Sequence, residues 1–527
     1  MKRILPLIAL LCAFAVAPAF ASWSYVDGSN LWITDGAWTV KLTKTGSNYY
    51  ISGWADGSAT LDLSTVTADL AAEATPHAVT IISVGSNAFK GCTVLETLVL
   101  PDSCTTVNAN SFQGCTSLAT ARMPGVTTFG GANSFNGCSS LSTVECPNLS
   151  SIAGYGAFGG CTSLVELKVS GNLSRFDANT FQGCTSFTTL YTNDNTKVVG
   201  HVQLPPGVTA LGSYNFYQTK ITHVFAPGVT SLNSGNGYTF GSCSLLQEVH
   251  LPSLAGIASV YAFSGDSALR TVEISSALSG TIANCAFSSC TSLESIYQSG
   301  NEPIEGLVDL PAGVTKFEWA AFMNCATIEH VVAPGVVNVQ NRAFVGCSSL
   351  KTVRFSPNLA VLASNKNGTT ETPFYNCKAL TDFFPSTMPC LTQIHSGTFN
   401  GDSSLTNSFD FSGATLADVP AYSFLNGASK VPCVKLPVSF AKLYEKEFCG
   451  LKPGAEIHFT GNIPSKGDSK NDQMYQGKDG AGYRYRIFAD AGTYPAWTNL
   501  SRARRSRRRL PRWRAKATIL VSRRLVI

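Results

Sequence analysis

The sequence predicts a repeat solenoid, and three observations predict it. A phenylalanine recurs at Phe89, Phe112, Phe135, Phe158 and Phe181, every interval being 23 residues. A cysteine stands three places after each, at Cys92, Cys115, Cys138, Cys161 and Cys184. The text around both is nearly constant, as in AFKGCTVLETLVLP, SFQGCTSLATARMP and SFNGCSSLSTVECP. A unit of this length cannot bury its own apolar face and must stack on its neighbours. Such an array grows linearly, so 527 residues can exceed the usual limit of a single core.

Within a rung, Leu95, Leu98 and Leu100 are spaced as the inward residues of a short strand. Pro101 ends that strand because it has no N–H to give to a ladder. The chain then returns through a corner with phenylalanine packed inside and glycine making the tight turn. Further phenylalanine rungs fall at Phe216, Phe240, Phe263, Phe287, Phe322, Phe344, Phe374, Phe399 and Phe424, with a degenerate one at Phe448. The predicted array is a curved one of about 14 rungs of ~23 residues, with short parallel strands on its concave face.

Two intervals are 35 residues long, Phe181 to Phe216 and Phe287 to Phe322. Their texts match, YTNDNTKVVGHVQLPPGVT against YQSGNEPIEGLVDLPAGVT, as duplication of a four-rung block would give. Residues 191–203 and 297–309 are therefore expected to leave the scaffold as matched loops on one side, where recognition tends to sit.

The flanks differ from the array. Residues 1–21 have the form of an export signal: Lys2 and Arg3, an apolar run from Ile4 to Val16, and Ala19-Phe20-Ala21 for cleavage. That run is too short for a membrane span, and no other segment of the mature chain is long and apolar enough. Residues 22–81 hold Trp23, Trp32, Trp38 and Trp54 between turn pairs such as Asp35-Gly36, and read as a β-rich N-terminal cap. The array is placed at residues 82–450 and a C-terminal cap and linker at 451–500. Residues 501–527 carry ten Arg and one Lys with no acid, whereas residues 22–500 carry 25 bases against 33 acids. The basic tail reads as an electrostatic patch for anionic lipid, cell-wall polymer or nucleic acid, as a disordered sorting tail, or as the product of a reading-frame slip.

The pattern F-x-G-C-[TS]-x-L-x-x-[LVI]-x-[LVF]-P resembles the BspA-type leucine-rich repeat over about residues 82–450. The resemblance implies an exported bacterial surface protein that binds proteins or host matrix, with no catalytic residue to carry over. The chain departs from the pattern at Thr219, Asp266, Asp402 and Gly427, where the column cysteine is missing and looser rungs are expected.

Neighbouring column cysteines lie about 4.8 Å apart with parallel directions, whereas a disulfide brings Cβ atoms to about 3.8 Å. The column is therefore read as buried small hydrophobes. Cys104, Cys146, Cys285, Cys390, Cys433 and Cys449 stand off the column, and a pair among the last three could staple the C-terminal cap. One ligand per rung builds no tetrahedral zinc site, no CxxC occurs, and no two histidines have metal-ligand spacing, so no metal or cofactor is expected. G-x-S-x-G, HExxH and phosphate-cradling glycine loops are absent from the sequence, which argues against an enzyme.

The outward strand positions form two columns. One is dominated by threonine, which suits a pleated strand. The other mixes charge and aromatics at Arg122, Glu145, Lys168, Tyr191, His250, Glu273, Tyr297 and Arg354, as a recognition strip would. The function expected is non-catalytic binding of a protein or glycan outside the cell, adhesin-like, without specific nucleic-acid recognition. The alternatives are a self-associating surface-layer component and the scaffold of a secreted glycan-acting enzyme.

Overall fold

Each repeat contributes one short strand to each of two faces of a parallel β-solenoid, seen here in a computed structural model. The structure describes residues 22–27, 31–71, 79–193, 195–232, 237–362, 372–394 and 397–416, with shorter runs between 428 and 489. The export signal, the basic tail, Cys449, Gly427 and the rungs at Phe424 and Phe448 lie outside the described residues.

One face is a sheet of 15 strands running from Thr60–Asp62 to Asp382–Phe384. Its strands are three or four residues long and alternate inward and outward, as in Thr97–Val99, where Leu98 is fully buried. The opposite face carries mostly two-residue strands, such as Thr106–Val107 and Thr128–Phe129. These form one sheet up to Arg175–Phe176 and a second from Ala210–Leu211 to Gln393–Ile394. At the N-terminal end, Ser24–Asp27, Trp32–Thr34, Thr39–Thr45 and Asn48–Asp56 pair antiparallel, and the last of them pairs parallel with Ile81–Val84. Trp38 lies there fully buried, edge-on to Phe89 at 6.1 Å, so an indole covers the end of the phenylalanine column.

That column is continuous. From Phe89 to Phe399 successive rings stack at 5.0–5.7 Å between centroids, with interplanar angles of at most 24°. The corner that presents each ring uses two left-handed residues four apart. In the first rungs these are an asparagine and a glycine, as at Asn87 (φ 61) and Gly91 (φ 72), because L side chains rarely take this conformation.

The cysteine column is more than a row of small hydrophobes. Each Sγ from Cys115 onward donates to the carbonyl of the preceding rung's column phenylalanine, Cys115 to Phe89 at 3.1 Å and Cys138 to Phe112 at 3.0 Å. The pattern persists at Cys290, Cys325, Cys347 and Cys377. The column is thus a hydrogen-bond ladder that satisfies carbonyls buried at the corners. All described cysteines are free thiols, Cys104, Cys146 and Cys285 being buried, and Cys390 and Cys433 do not pair.

The 35-residue intervals are not simple loops, which corrects the expectation for residues 191–203 and 297–309. His201–Gln203 and Leu307–Asp309 are strands of the main sheet, inserted beside Thr189–Thr192 and Ser295–Gln298. Leu190 registers with Val202 and Ile296 with Val308, so each interval is a normal rung plus a 12-residue turn that returns to the same face. The signal was present in sequence: V-Q-L-P and V-D-L-P repeat the strand-ending pattern V-H-L-P of residues 249–252. Only the segments between the paired strands project. Replacing all of residues 191–203 with a short turn would therefore remove a sheet strand.

At Thr219 and Asp266 the rungs lacking the column cysteine are not looser. The ring stack holds at 5.6, 5.3 and 5.1 Å from Phe216 through Phe287. Thr219 places a hydroxyl there that donates to its own rung's Phe216 O at 2.8 Å, and not to the preceding rung's carbonyl as the thiols do. Asp266 is fully buried; its Oδ1 accepts from the Cys243 N–H at 2.7 Å, and Oδ2 has no partner. Burial pushes the Asp266 carboxyl well above its ordinary value of 3.8.

Two tests follow from these columns. Phe158→Ala is expected to cost about 3–5 kcal/mol in chemical denaturation, because the stacked rungs cannot collapse into the gap. A raised folded-state value means that Asp266 supports folding fully below 3.8, and that support is lost as pH rises through the raised value. Asp266→Cys is therefore expected to raise the Tm at neutral pH and to flatten the fall in Tm that sets in as pH rises above 3.8.

Candidate functional site

The outward residues of the main sheet line up in two columns because parallel strands in register repeat every rung at the same depth. The second column runs Asp62, Val99, Arg122, Glu145, Lys168, Tyr191 in direct register. From the first inserted strand it continues as Gln203, Phe225, His250, Glu273, Tyr297, and from the second as Asp309, Val332, Arg354, Phe384. All eight residues named from the sequence stand in this one column. Gln203, Phe225, Asp309 and Phe384 belong to it too. The first and third were hidden by treating their strands as loops.

The column divides by chemistry. At its N-terminal part, charges answer one another: Arg122 meets Glu145 at 3.5 Å, and Lys197 from the projecting segment pairs with Glu166 while lying 5.9 Å over the Tyr191 ring. Pairs this exposed contribute little to stability. A shallow cleft of ≈ 500 Å³ lies here, lined by Glu145, Glu166, Lys168 and Tyr191 among others. A second, of ≈ 420 Å³, is lined by Asn195, Gln203, Pro205, Phe225 and Pro227 on the other side of the inserted strand.

Between the two inserted strands the face becomes aromatic and imidazole-rich. The His201 and His223 rings lie 4.4 Å apart, and His201 is 5.3 Å from Phe225. Phe225 stacks on His250 at 4.7 Å and 6°. His250 Nδ1 donates to Glu273 Oε2 at 2.9 Å, and Glu248 lies 3.5 Å from His250 and 3.9 Å from His223. Burial and then the neighbouring His223 hold His201 below its ordinary value, with Glu248 opposing them. His223 and His330 both stand in the first outward column, as their matched sequence positions imply. The assembly offers ring faces, imidazole nitrogens and carboxylates to a partner laid along the strands.

A second aromatic row was missed from the sequence. At the corner position held by asparagine in the early rungs stand Tyr214, Tyr238 and Tyr261, with φ of 55–58°. Tyr238 stacks on Tyr214 at 5.3 Å and on Tyr261 at 4.5 Å, and Tyr217 meets Tyr214 and Tyr238 edge-on. A bulky side chain in this region of backbone space is uncommon and strained. Its signal was the residue two places before each column phenylalanine.

With this geometry in place, comparison with known proteins is decisive for the family. The model of the BspA type leucine rich repeat region matches residues 76–188, 191–294, 306–367 and 367–470. The chain belongs to that family. Among solved structures, a leucine-rich repeat protein from Bacteroides ovatus is 15% identical, covers 86% of this chain and 98% of its own, and has a TM-score of 0.48. A leucine rich cell surface protein from Faecalibacterium prausnitzii is 20% identical, covers 67% and 94%, and has a TM-score of 0.40. The pneumococcal vaccine antigen PcpA is 14% identical over 88% and 99%, with a TM-score of 0.38. No curated protein matches the chain significantly. Among the described residues of this BspA-type protein, no helix is long and apolar enough to cross a membrane.

Proposed function

We propose that this BspA-type repeat protein is an exported, non-catalytic binding protein that takes a protein or glycan partner along its main strand face. The observation that carries the reading is the block that begins on the first inserted strand. There the first outward column leaves threonine on three successive strands, at His201, His223 and Glu248, beside Gln203, Phe225 and His250 in the second. Outward strand residues are not needed for the inner stack, so an aromatic and imidazole surface on three adjacent strands supports a recognition role. The cell-surface description of the Faecalibacterium protein fits the export signal read in residues 1–21.

The histidines on the face favour contact over catalysis. His330 Nδ1 lies 2.8 Å from the Thr352 hydroxyl and its Nε2 3.8 Å from Glu329, a grouping that superficially resembles a relay. The Thr352 N–H, however, is bound to Glu329 O in the sheet ladder. A flat sheet turns its amides into its own plane and leaves none convergent on a developing oxyanion.

The test is binding of the purified chain to immobilised matrix proteins, mucin glycans and the producer's own envelope, read with Phe225→Ala and His250→Ala variants. Each is expected to weaken binding at least about tenfold, as hot-spot truncations do, while changing stability by less than about 0.5 kcal/mol. Saturable binding that ignores both substitutions would move the site off this face. Ordered self-assembly with no foreign partner would replace the reading by that of a structural layer.

A further inference from the structure

Beyond the main sheet the solenoid continues as four strands, Phe409–Asp410, Cys433–Leu436, Glu456–Phe459 and Arg486–Ala489, all parallel. Cys433 registers directly with Glu456 and Lys435 with His458. Cys433, Glu456 and His458 are only partly buried, whereas the intervening Val434 and Ile457 are buried. Strand alternation therefore sends all three to the same outer face. One thiol, one carboxylate and one imidazole converge there, with ligand atoms all within 4.8 Å of one another.

We propose that Cys433, Glu456 and His458 form a zinc-binding site that ties the last strands of the array together. The donor set is what selects the ion. Sulfur, nitrogen and a single carboxylate oxygen suit borderline-soft Zn²⁺, whereas Ca²⁺ and Mg²⁺ require several oxygens. The usual zinc–ligand bond lengths put tetrahedral ligands ~3.3–3.8 Å apart. His458 Nε2 and Glu456 Oε2 already stand 3.2 Å apart, so binding requires mainly that the Cys433 Sγ close in. Three protein ligands leave the fourth position for water.

The surroundings tolerate the charge. Lys435, which registers with His458 on the same face, is held by Asp410 at 2.9 Å, which leaves its ammonium matched by a carboxylate. Arg486 holds the register position beside Glu456 on the far strand. Burial, then Glu456 and Asp410, disfavour the Cys433 thiolate, with Lys435 opposing them, so the ion must displace the thiol proton to solvent. Sequence spacing could not show the site. The ligands lie 23 residues apart, on one strand at i and i+2 and on its neighbour, and only register joins them. The site also gives the off-column Cys433 a role that a disulfide does not.

The test is titration of the full-length purified chain with Co²⁺, a spectroscopic substitute for Zn²⁺, followed by Zn²⁺ competition. The result expected is a thiolate-to-cobalt charge-transfer band that one equivalent of Zn²⁺ bleaches. Cys433→Ser should abolish the band, and His458→Gln should weaken Co²⁺ binding at least about tenfold. Cys390→Ser, which changes the one described cysteine that is exposed, should leave both unchanged. The proposal is overturned by absence of the band, by a band that survives Cys433→Ser, or by unchanged affinity in His458→Gln. The histidine variant alone decides the matter if the serine variant does not fold.

Discussion

The structure depends on returning one aromatic ring per turn to the same place, about one strand spacing further along the axis. Rings stacked at 5.0–5.7 Å leave little freedom in how far successive turns advance. A loop can lengthen, yet the next phenylalanine must still land on the last. This is why the two long intervals do not interrupt the column: Phe216 stacks on Phe181 and Phe322 on Phe287. Extra chain is accommodated as a 12-residue turn that begins and ends on the strand face and adds no ring. An insertion in such a scaffold has to enter and leave in register, because a slip by one residue would turn every inward side chain outward.

The same corners carry a second requirement, that buried carbonyls find donors. The residue three places after each ring is small enough to fit inside and carries a proton to give. Cysteine meets both conditions across the rung boundary, while Thr219 gives its hydroxyl proton to its own rung's Phe216 O. Asp266 instead accepts from the Cys243 N–H, and burial raises the Asp266 and Asp402 carboxyls toward the neutral form. The column therefore orders its members by chemistry as well as by size. It also keeps the thiols unreactive, since burial pushes Cys184 up to about 12.

These two demands explain what could be read in the sequence. The ring column, the strand pattern and the family were legible because each is written in local text at a fixed period. The polar role of the cysteines was not, because a residue type alone does not say whether its S–H meets a carbonyl. The inserted strands were half legible: V-Q-L-P and V-D-L-P were visible, but the length of the interval drew the reading toward a loop. The tyrosines at Tyr214, Tyr238 and Tyr261 were overlooked because the corner position varies more than the ring beside it. The grouping of Cys433, Glu456 and His458 exists only across strand register.

Outward positions escape both demands, and this gives them their meaning. Nothing in the ring stack or the carbonyl ladder dictates what stands at Phe225 or His250, while threonine at Thr97, Thr120 and Thr143 is what a pleated strand takes by default. Departure from that default on one strand is ordinary surface variation. Departure on three successive strands beginning with an inserted one, at His201, His223 and Glu248 beside Phe225 and His250, is a patch. The insertion has a mechanical side as well. It adds a strand to the main strand face and none to the ring column, so that face gains about 4.8 Å of length that the opposite side does not. The imidazole and aromatic block begins on that added strand, with Lys197 of the preceding segment beside it on Glu166. Scaffold and proposed site are therefore coupled at one place: the 12 residues that leave the ring stack undisturbed also supply the strand on which the imidazole and aromatic surface begins.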